Sequence, residues 1–274
     1  MTAVAVLQMT AGIDPAANAD TLERAIAEAA AGGAAMLFTP EMSGLIDRDK
    51  ARAAAHLTSE EHDPVLARVR AAAAAHGLWV HLGSLAVRRG DGRLANRGYV
   101  IDDRGEVRAR YDKMHLFDVD LPSGESWRES ASYAPGEQAV VVDTPVGRLG
   151  LAICYDMRFP ALFAALTEAG ATILSVPAAF TRPTGAAHWH VLLRARAIEA
   201  GVNLIAAAQT GEHQDGRATY GHSLVVGPWG EVMLDMGDAA GLGFATVDMA
   251  QVDAVRQRLP AIRHRRAIPP VVRA

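Results

Sequence analysis

The chain has 274 residues, half of them apolar, and a formal net charge of −4. That size and composition describe a single globular domain with a substantial core, and the weak acidic balance excludes a strong basic field for nucleic acid or anionic membrane. One cysteine excludes an intrachain disulfide, the first nine residues carry no basic leader, and no apolar run reaches membrane length, so a soluble, cytoplasmic protein is expected.

Residues 3–8 form a short apolar run bounded by polar residues and predict a buried strand. Asp14-Pro15 reads as a helix cap followed by proline, Leu22, Ala25, Ile26 and Ala29 follow at helical spacing, and Gly32-Gly33 ends the helix. A second strand, residues 34–38, runs into Thr39-Pro40-Glu41. Asp63-Pro64 opens another helix that closes at Gly77, and residues 78–87 predict a third strand. Residues 99–101 and 107–111 flank Asp102-Asp103-Arg104-Gly105, a hairpin signature. A loop-rich stretch then runs from Lys113 to Gly136, where Phe117, Leu121 and Trp127 argue for order and long ordered loops point to function.

The alternation restarts with strands at 139–143 and 149–153, a helix at 159–169 and a strand at 172–176. A helix at 187–200, a strand at 203–208, a second hairpin around Gly227-Pro228-Trp229-Gly230, a strand at 242–247 and a short terminal helix complete the chain. Both halves read strand–helix–strand–helix–strand–strand, with no linker between them. Hairpins within an alternating α/β pattern predict mixed sheets, packed face to face with helices outside. The basic end, Arg263 to Arg266, reads as solvated surface or a subunit contact.

Three strand ends carry reactive side chains. Residues 149–153 deliver Cys154 just before a helix, where ligand sites of α/β sheets gather and backbone N–H groups favour thiolate and oxyanion. Glu41 follows the buried run Met36-Leu37-Phe38, and Lys113 follows 107–111 through Asp112. Position alone leaves two readings open, a small buried cysteine beside a structural Glu–Lys ion pair, or a nucleophile with a base and an electrophile.

Phe38-Thr-Pro-Glu41-Met-Ser-Gly44, Tyr111-Asp-Lys113-Met-His-Leu-Phe-Asp118 and Gly150-Leu-Ala-Ile-Cys154-Tyr-Asp-Met-Arg-Phe-Pro160 resemble the catalytic segments of the nitrilase, or carbon–nitrogen hydrolase, superfamily, in its order. Ala187-His-Trp-His to Glu199 and Thr219-Tyr-Gly-His-Ser223 extend the resemblance over essentially the whole chain. It implies a four-layer α-β-β-α sandwich with two mixed sheets, assembled through helices into a homodimer or a larger oligomer. It also implies roles: Glu41 as general base, Cys154 as the nucleophile that forms a thioester, and Lys113 with the Tyr155 N–H as oxyanion partners. Glu129, in Trp127-Arg128-Glu129-Ser130, falls where many members place a second glutamate that orients the lysine or the substrate; the other reading is a solvated loop carboxylate.

One position departs from the pattern, because many relatives read Ala-His-Trp-Glu where this chain has His190. His188 and His190 lie two apart on a helix and point away from each other, so they cannot share one ion; neither a metal site nor a cofactor is expected. Arg194-Ala-Arg196-Ala-Ile-Glu199, Ala207-Ala-Gln209-Thr-Gly211 and Arg217-Ala-Thr-Tyr-Gly-His-Ser223 resemble the deaminated-glutathione amidase branch. The resemblance implies hydrolysis of a small carboxylate-bearing amide to acid and ammonia. The alternatives are an omega-amidase acting on 2-oxo-acid amides, a nitrilase, an N-acyl transferase (a branch that usually carries membrane spans) and, outside enzymes, a non-catalytic binding module. A substrate carboxylate calls for a fixed guanidinium, and Arg158 and Arg182 are the candidates. The competing reading pairs Arg158 with Asp156 or another acid and leaves Arg182 in solvent.

Overall fold

The computed structural model describes residues 1–120, 124 and 126–273. Leu121, counted above as a sign of order, lies outside the described residues. In chain order β1 (Thr2–Gln8) leads into α1 (Pro15–Ala31), whose first turn is closed by Asp14 accepting from the Ala16 N–H at 2.9 Å. An aspartate cap ahead of a first-turn proline satisfies an orphan donor and presets the backbone angle. β2 (Met36–Phe38), a one-turn α2 (Lys50–Ala54), α3 (Pro64–His76) and β3 (Trp79–Arg88) follow. β3 turns back into β4 (Leu94–Ile101) and β5 (Val107–Asp112). A small ribbon, β6 (Asp118–Asp120) with β7 (Ser126–Arg128), orders the loop-rich stretch, and Phe117 packs against Trp127 with ring centres 6.3 Å apart.

The second run is β8 (Val141–Thr144), β9 (Gly147–Leu151), α4 (Pro160–Glu168), β10 (Ile173–Ser175) and α5 (Arg182–Ala200). Then come β11 (Asn203–Ala206), the ribbon β12 (Thr210–Glu212) with β13 (Ala218–Tyr220), β14 (Leu224–Val226), β15 (Val232–Asp235), β16 (Gly241–Val247) and α6 (Met249–Arg258). α5 starts five residues before the helix read from periodicity. Thr181, Arg182 and Pro183 form a legitimate start, and this first turn lies ahead of the apolar stripe that periodicity detects.

Two six-stranded sheets result, ordered β16-β1-β2-β3-β4-β5 and β15-β14-β11-β10-β9-β8. Both are mixed: β1, β2 and β3 run parallel, as do β9, β10 and β11, while hairpins add the outer strands antiparallel. The last strand does not stay with its own half. β16 pairs antiparallel with β1 along its length, from Thr2↔Val247 to Gln8↔Gly241.

Side-chain alternation shows the layers. Val4 and Val6 of β1, with Met36 and Phe38 of β2, join the core that holds the second sheet, α4 and α5. Ala5, Leu7 and Leu37, pointing the other way, join the core formed with α1 and α3. The architecture is an α-β-β-α sandwich. Between the sheets His81 of β3 meets Ser175 of β10, Nδ1 to Oγ, at 2.9 Å. Burial pushes the imidazole pKa down to about 3, so His81 is neutral. At the far end Arg265 donates to Ala164 O and Thr167 Oγ1 on α4, while Arg263, His264 and Arg266 are exposed.

Candidate active site

Glu41 is set by the close approach of two backbones. Beyond β2 the chain is stitched to β3: Thr39 N–H donates to His81 O, Gly83 N–H to Thr39 Oγ1, and Met42 N–H to Ser84 Oγ. A Cβ on Gly83 would lie 2.1 Å from Thr39 O, so only glycine permits this contact. Met42 then takes a left-handed φ of 56°. The Glu41 carboxylate is buried. Its Oε1 accepts from Lys113 Nζ at 3.0 Å and Asn96 Nδ2 at 2.9 Å, and its Oε2 from Ala179 N–H at 2.8 Å.

Lys113 ends β5 with its backbone N–H on Asn96 O. Its ammonium, 3% exposed as a side chain, lies between Glu41 and Glu129, the latter at 2.9 Å. Glu129 sits in a 3-10 turn after β7, where Asn96 Nδ2 and Phe117 N–H also donate to it. The solvated-carboxylate reading of Glu129 is therefore excluded. Asn96 bridges both carboxylates.

Cys154 opens a 3-10 helix, Cys154–Arg158, at a φ of 50°, a strained conformation for a residue with a Cβ. Its N–H is held by Pro177 O at 2.9 Å, and the turn is braced by Asp156. That fully buried carboxylate accepts from Tyr111 Oη, Ile153 N–H and His115 N–H at 2.8–3.0 Å and meets His115 Nδ1 at 2.7 Å. The Tyr155 N–H, in the first turn, has no acceptor among the described residues.

Electrostatics assign the resting charges. Burial pushes the Glu41 carboxyl up, but the Lys113 ammonium and hydrogen bonds from Cys154, Lys113 and Asn96 bring it below its ordinary value. Burial likewise opposes the Lys113 charge, yet Glu129, Glu41 and Cys154 hold it well above the usual lysine range. The Cys154 thiol is raised well above its ordinary value by burial and then by Glu41. At neutral pH the site holds a protonated thiol beside an ionised carboxylate and an ammonium. A thiol beside a carboxylate and an ammonium can serve as a nucleophile with a base and a cation, in a low-dielectric setting where oriented charges act strongly.

The three groups, with Glu129, line a cavity of about 900 Å³. Tyr155 packs edge-on to Phe117 and Phe159. The two candidate arginines are not among the cavity-lining residues. Arg158 does not pair with Asp156; its guanidinium lies 5.5 Å from the ring centre of Phe180, a wall residue, and 3.3 Å from His188 Nδ1. Arg182 is half exposed and stands 3.7 Å from Glu212. His188 and His190 do diverge: His190 Nε2 and His222 Nδ1 each meet one oxygen of Asp235 at 2.9 Å. These three residues come close enough to share an ion, a juxtaposition of α5, the β13–β14 connection and β15 that helix periodicity cannot show. None of them lines the cavity.

Asn96 escaped sequence reasoning, as did the bracing roles of Asp156 and Gln209. Gln209 donates from Nε2 to Glu41 O and accepts from Ala11 N–H. The available signal was an amide or acid inside or beside an apolar strand, as in Leu94-Ala-Asn96 or Ala206-Ala-Ala-Gln209.

Residues 3–257 match the family model described as carbon–nitrogen hydrolase. Human deaminated glutathione amidase is 42% identical over 268 residues, 96% of this chain and 82% of that protein. The Yersinia enterocolitica protein of the same name is 39% identical over 272 residues, 98% of this chain and 94% of the relative. The crystal structure of the C. elegans NitFhit protein superimposes with a TM-score of 0.90 at 39% identity, over 97% of this chain and 65% of that longer one. A mutant amidase from Nesterenkonia sp. AN1, with the acetamide moiety of fluoroacetamide covalently added at the active-site cysteine, superimposes at 0.81 with 30% identity, covering 97% and 94% of the two chains. On the family match and these near-full-length identities, the chain belongs to the carbon–nitrogen hydrolase family.

Proposed function

We propose that this carbon–nitrogen hydrolase is an amidase that works through a thioester on Cys154, with Glu41 as the base and Lys113 as an oxyanion partner. The observation that carries this is the buried ion pair of Glu41 with Lys113, at 3.0 Å, on the same cavity wall as Cys154. Glu41 takes the thiol proton as sulfur attacks the amide carbon. The carbonyl oxygen, now an anion, is met by Lys113 and the free Tyr155 N–H. Collapse expels the nitrogen, which takes the proton from Glu41 and leaves as ammonia or, for a substituted amide, as the amine. Glu41 then activates water, which releases the acid and restores the thiol. Glu129 and Asn96 hold Lys113 and Glu41 in register, and Asp156 holds the Cys154 turn.

The substrate class follows from the relatives and from the cavity. Two relatives carry the name deaminated glutathione amidase, and a cavity of about 900 Å³ holds a ligand larger than a short aliphatic amide. We infer a carboxylate-bearing amide of deaminated-glutathione type; Arg158 packs behind the wall residue Phe180 and does not itself line the cavity. An omega-amidase preference is the second reading. Val191 and Ile198, seven residues apart on α5, are 68% and 46% exposed, and Trp229, whose neighbour Gly230 packs against Ile198, is 63% exposed. This apolar face supports a homodimer through α5. No helix among the described residues is long and apolar enough to cross a membrane. A nucleophile that must stay a free thiol supports a reducing, cytoplasmic setting.

The test is a panel of amides assayed for released amine or ammonia, with mass spectrometry for an acyl adduct on Cys154. Turnover of carboxylate-bearing amides with an adduct on Cys154 is expected. An adduct elsewhere, or none in an active enzyme, ends the thioester reading, and equal rates on neutral amides end the substrate assignment.

A further inference from the structure

Two arginines that the mechanism does not use face the same cavity as Cys154, across a shared acid. Arg48 follows Glu41 by seven residues, and Arg217 immediately precedes β13, whose Thr219 bridges to Thr181 at the start of α5. Asp215, its side chain wholly buried, holds Arg217 through Nε and Nη2, both at 2.8 Å from Oδ2. This leaves the Nη1 side of the guanidinium with no partner among the described residues. Arg48 Nε approaches the same Oδ2 at 3.9 Å, its one acidic neighbour within 4 Å among the described residues, and its side chain is half exposed. Among the described residues the two guanidinium groups therefore share the Asp215 carboxylate.

Both residues stand on braced backbone. Ile46 N–H donates to Gly12 O, and the Asp47 carboxylate, buried, accepts from Asp49 N–H and from Arg52. On the other side His213 contacts Ala11 O and Thr219 Oγ1, each at 2.8 Å, and Gln214 Oε1 accepts from Ile13 N–H. Trp127 lies under Arg217, with the guanidinium carbon 5.2 Å from its ring centre. Its buried indole N–H has no acceptor among the described residues. Three other arginines of the cavity wall are committed. Arg88 donates to Leu57 O and Ala54 O, Arg93 to Ser130 O and Tyr133 O, and Arg128 to Asp120.

We propose that Arg48 and Arg217, on either side of Asp215, form a carboxylate subsite that binds the end of the substrate remote from the scissile carbonyl. The reading rests on the amidase function proposed above and adds that the substrate is a dianion. A planar, fixed fork with one free side suits a carboxylate, and a half-exposed partner closes over it when the ligand arrives. Such a substrate is a substituted amide whose leaving amine ends in a carboxylate, as in a dipeptide. Deaminated glutathione, the name carried by the relatives, has this chemistry: its side-chain acyl group is joined to a dipeptide amine. The leaving group is then that amine rather than ammonia.

The experiment uses the full chain and two matched amides of a 2-oxo dicarboxylic acid, one with cysteinylglycine as leaving amine and one with its terminal carboxamide. The ratio of kcat/KM for the first over the second reads the subsite alone. In the wild-type protein the ratio is expected at about ten to a hundred, the range of charge-assisted hydrogen bonds. Arg48→Gln should lower it about tenfold, chiefly through KM, and Arg217→Lys, which keeps Asp215 paired, should lower it less. A ratio near one in the wild type, or one unmoved by both substitutions, overturns the subsite. Titration calorimetry of the Cys154→Ala protein with the same amides reads binding without turnover, so a failed amidase reading and a failed subsite are scored separately.

Discussion

The floor of the cavity and its mouth are built on opposite electrostatic terms. At the floor, Lys113 and Glu41 are 3% and 6% exposed as side chains, and every charge has a partner near 3 Å. At the mouth, Arg48 is 50% exposed and its acidic neighbour lies 3.9 Å away. In the floor's low dielectric, a fixed charge acts at nearly full strength and removing one leaves its partner stranded. At the mouth, water and salt screen the half-exposed Arg48, so it shifts affinity rather than chemistry. On the proposed function, the chemistry belongs to the floor and selectivity to the mouth. Substitutions at the two places should differ in size and in which kinetic constant they move.

The largest effect falls on Cys154→Ala. Without the nucleophile, turnover should drop by at least ~10⁴-fold, while the melting temperature hardly changes, because alanine occupies the same turn with less volume. Appreciable residual activity, measured against a protein-free control, would show that another group attacks the amide.

Next come the charges of the floor, where rate and stability part company. Glu41→Gln keeps volume and neutralises the base, so kcat should fall by about 10²–10⁴ with a modest change in stability. Lys113→Met strands Glu41 and Glu129 as buried carboxylates, and should cost about 3–5 kcal/mol of stability on top of the lost oxyanion partner. Denaturant titration of both variants decides the matter. Equal stability for the two would mean that Lys113 is not the charge that holds the floor together.

A smaller effect reads the interior by pH. His81 is neutral when folded, with a pKa pushed down to about 3, whereas the unfolded chain protonates it below about pH 6.5. The unfolded state thus binds the extra proton between these values, and stability falls as pH drops through that window. From pH 7 to pH 5 this residue should remove about 2 kcal/mol. His81→Gln, compared with wild type by urea midpoints at the two pH values, should lose that part of the slope. An unchanged slope would mean that His81 titrates alike in the folded and unfolded chain.

The smallest effect is assigned to Arg182. It is half exposed, pairs only loosely with Glu212 and is absent from the cavity wall, and exposed pairs contribute about 0–1 kcal/mol. Arg182→Ala should alter kcat/KM on carboxylate-bearing amides by less than about twofold. A tenfold loss would bring the sequence-level pairing of Arg182 with substrate back into force.

Local pattern alone made much of this protein readable. Periodicity, capping residues and turn chemistry are short-range effects, so α1, α3, the central strands and the two main hairpins could be placed from Asp14-Pro15, Asp63-Pro64, Gly77 and Asp102–Gly105. Glu41, Lys113 and Cys154 stood out as reactive side chains because each lies within three residues of the end of its own strand, and the resemblance to the family supplied the roles. What needed the tertiary structure was everything set by residues far apart in sequence. β16 lies in the first sheet because its apolar face finds β1 some 240 residues away, a pairing no local signal encodes. Asn96 earns its place by standing between Glu41 and Glu129, and His190 meets Asp235 and His222 only once α5 is laid across β15. The arginines show the limit most clearly. Proximity to Cys154 along the chain favoured Arg158 and Arg182, whereas the cavity is walled by Arg48 and Arg217, which the sequence separates by 169 positions and one buried aspartate holds within reach of each other.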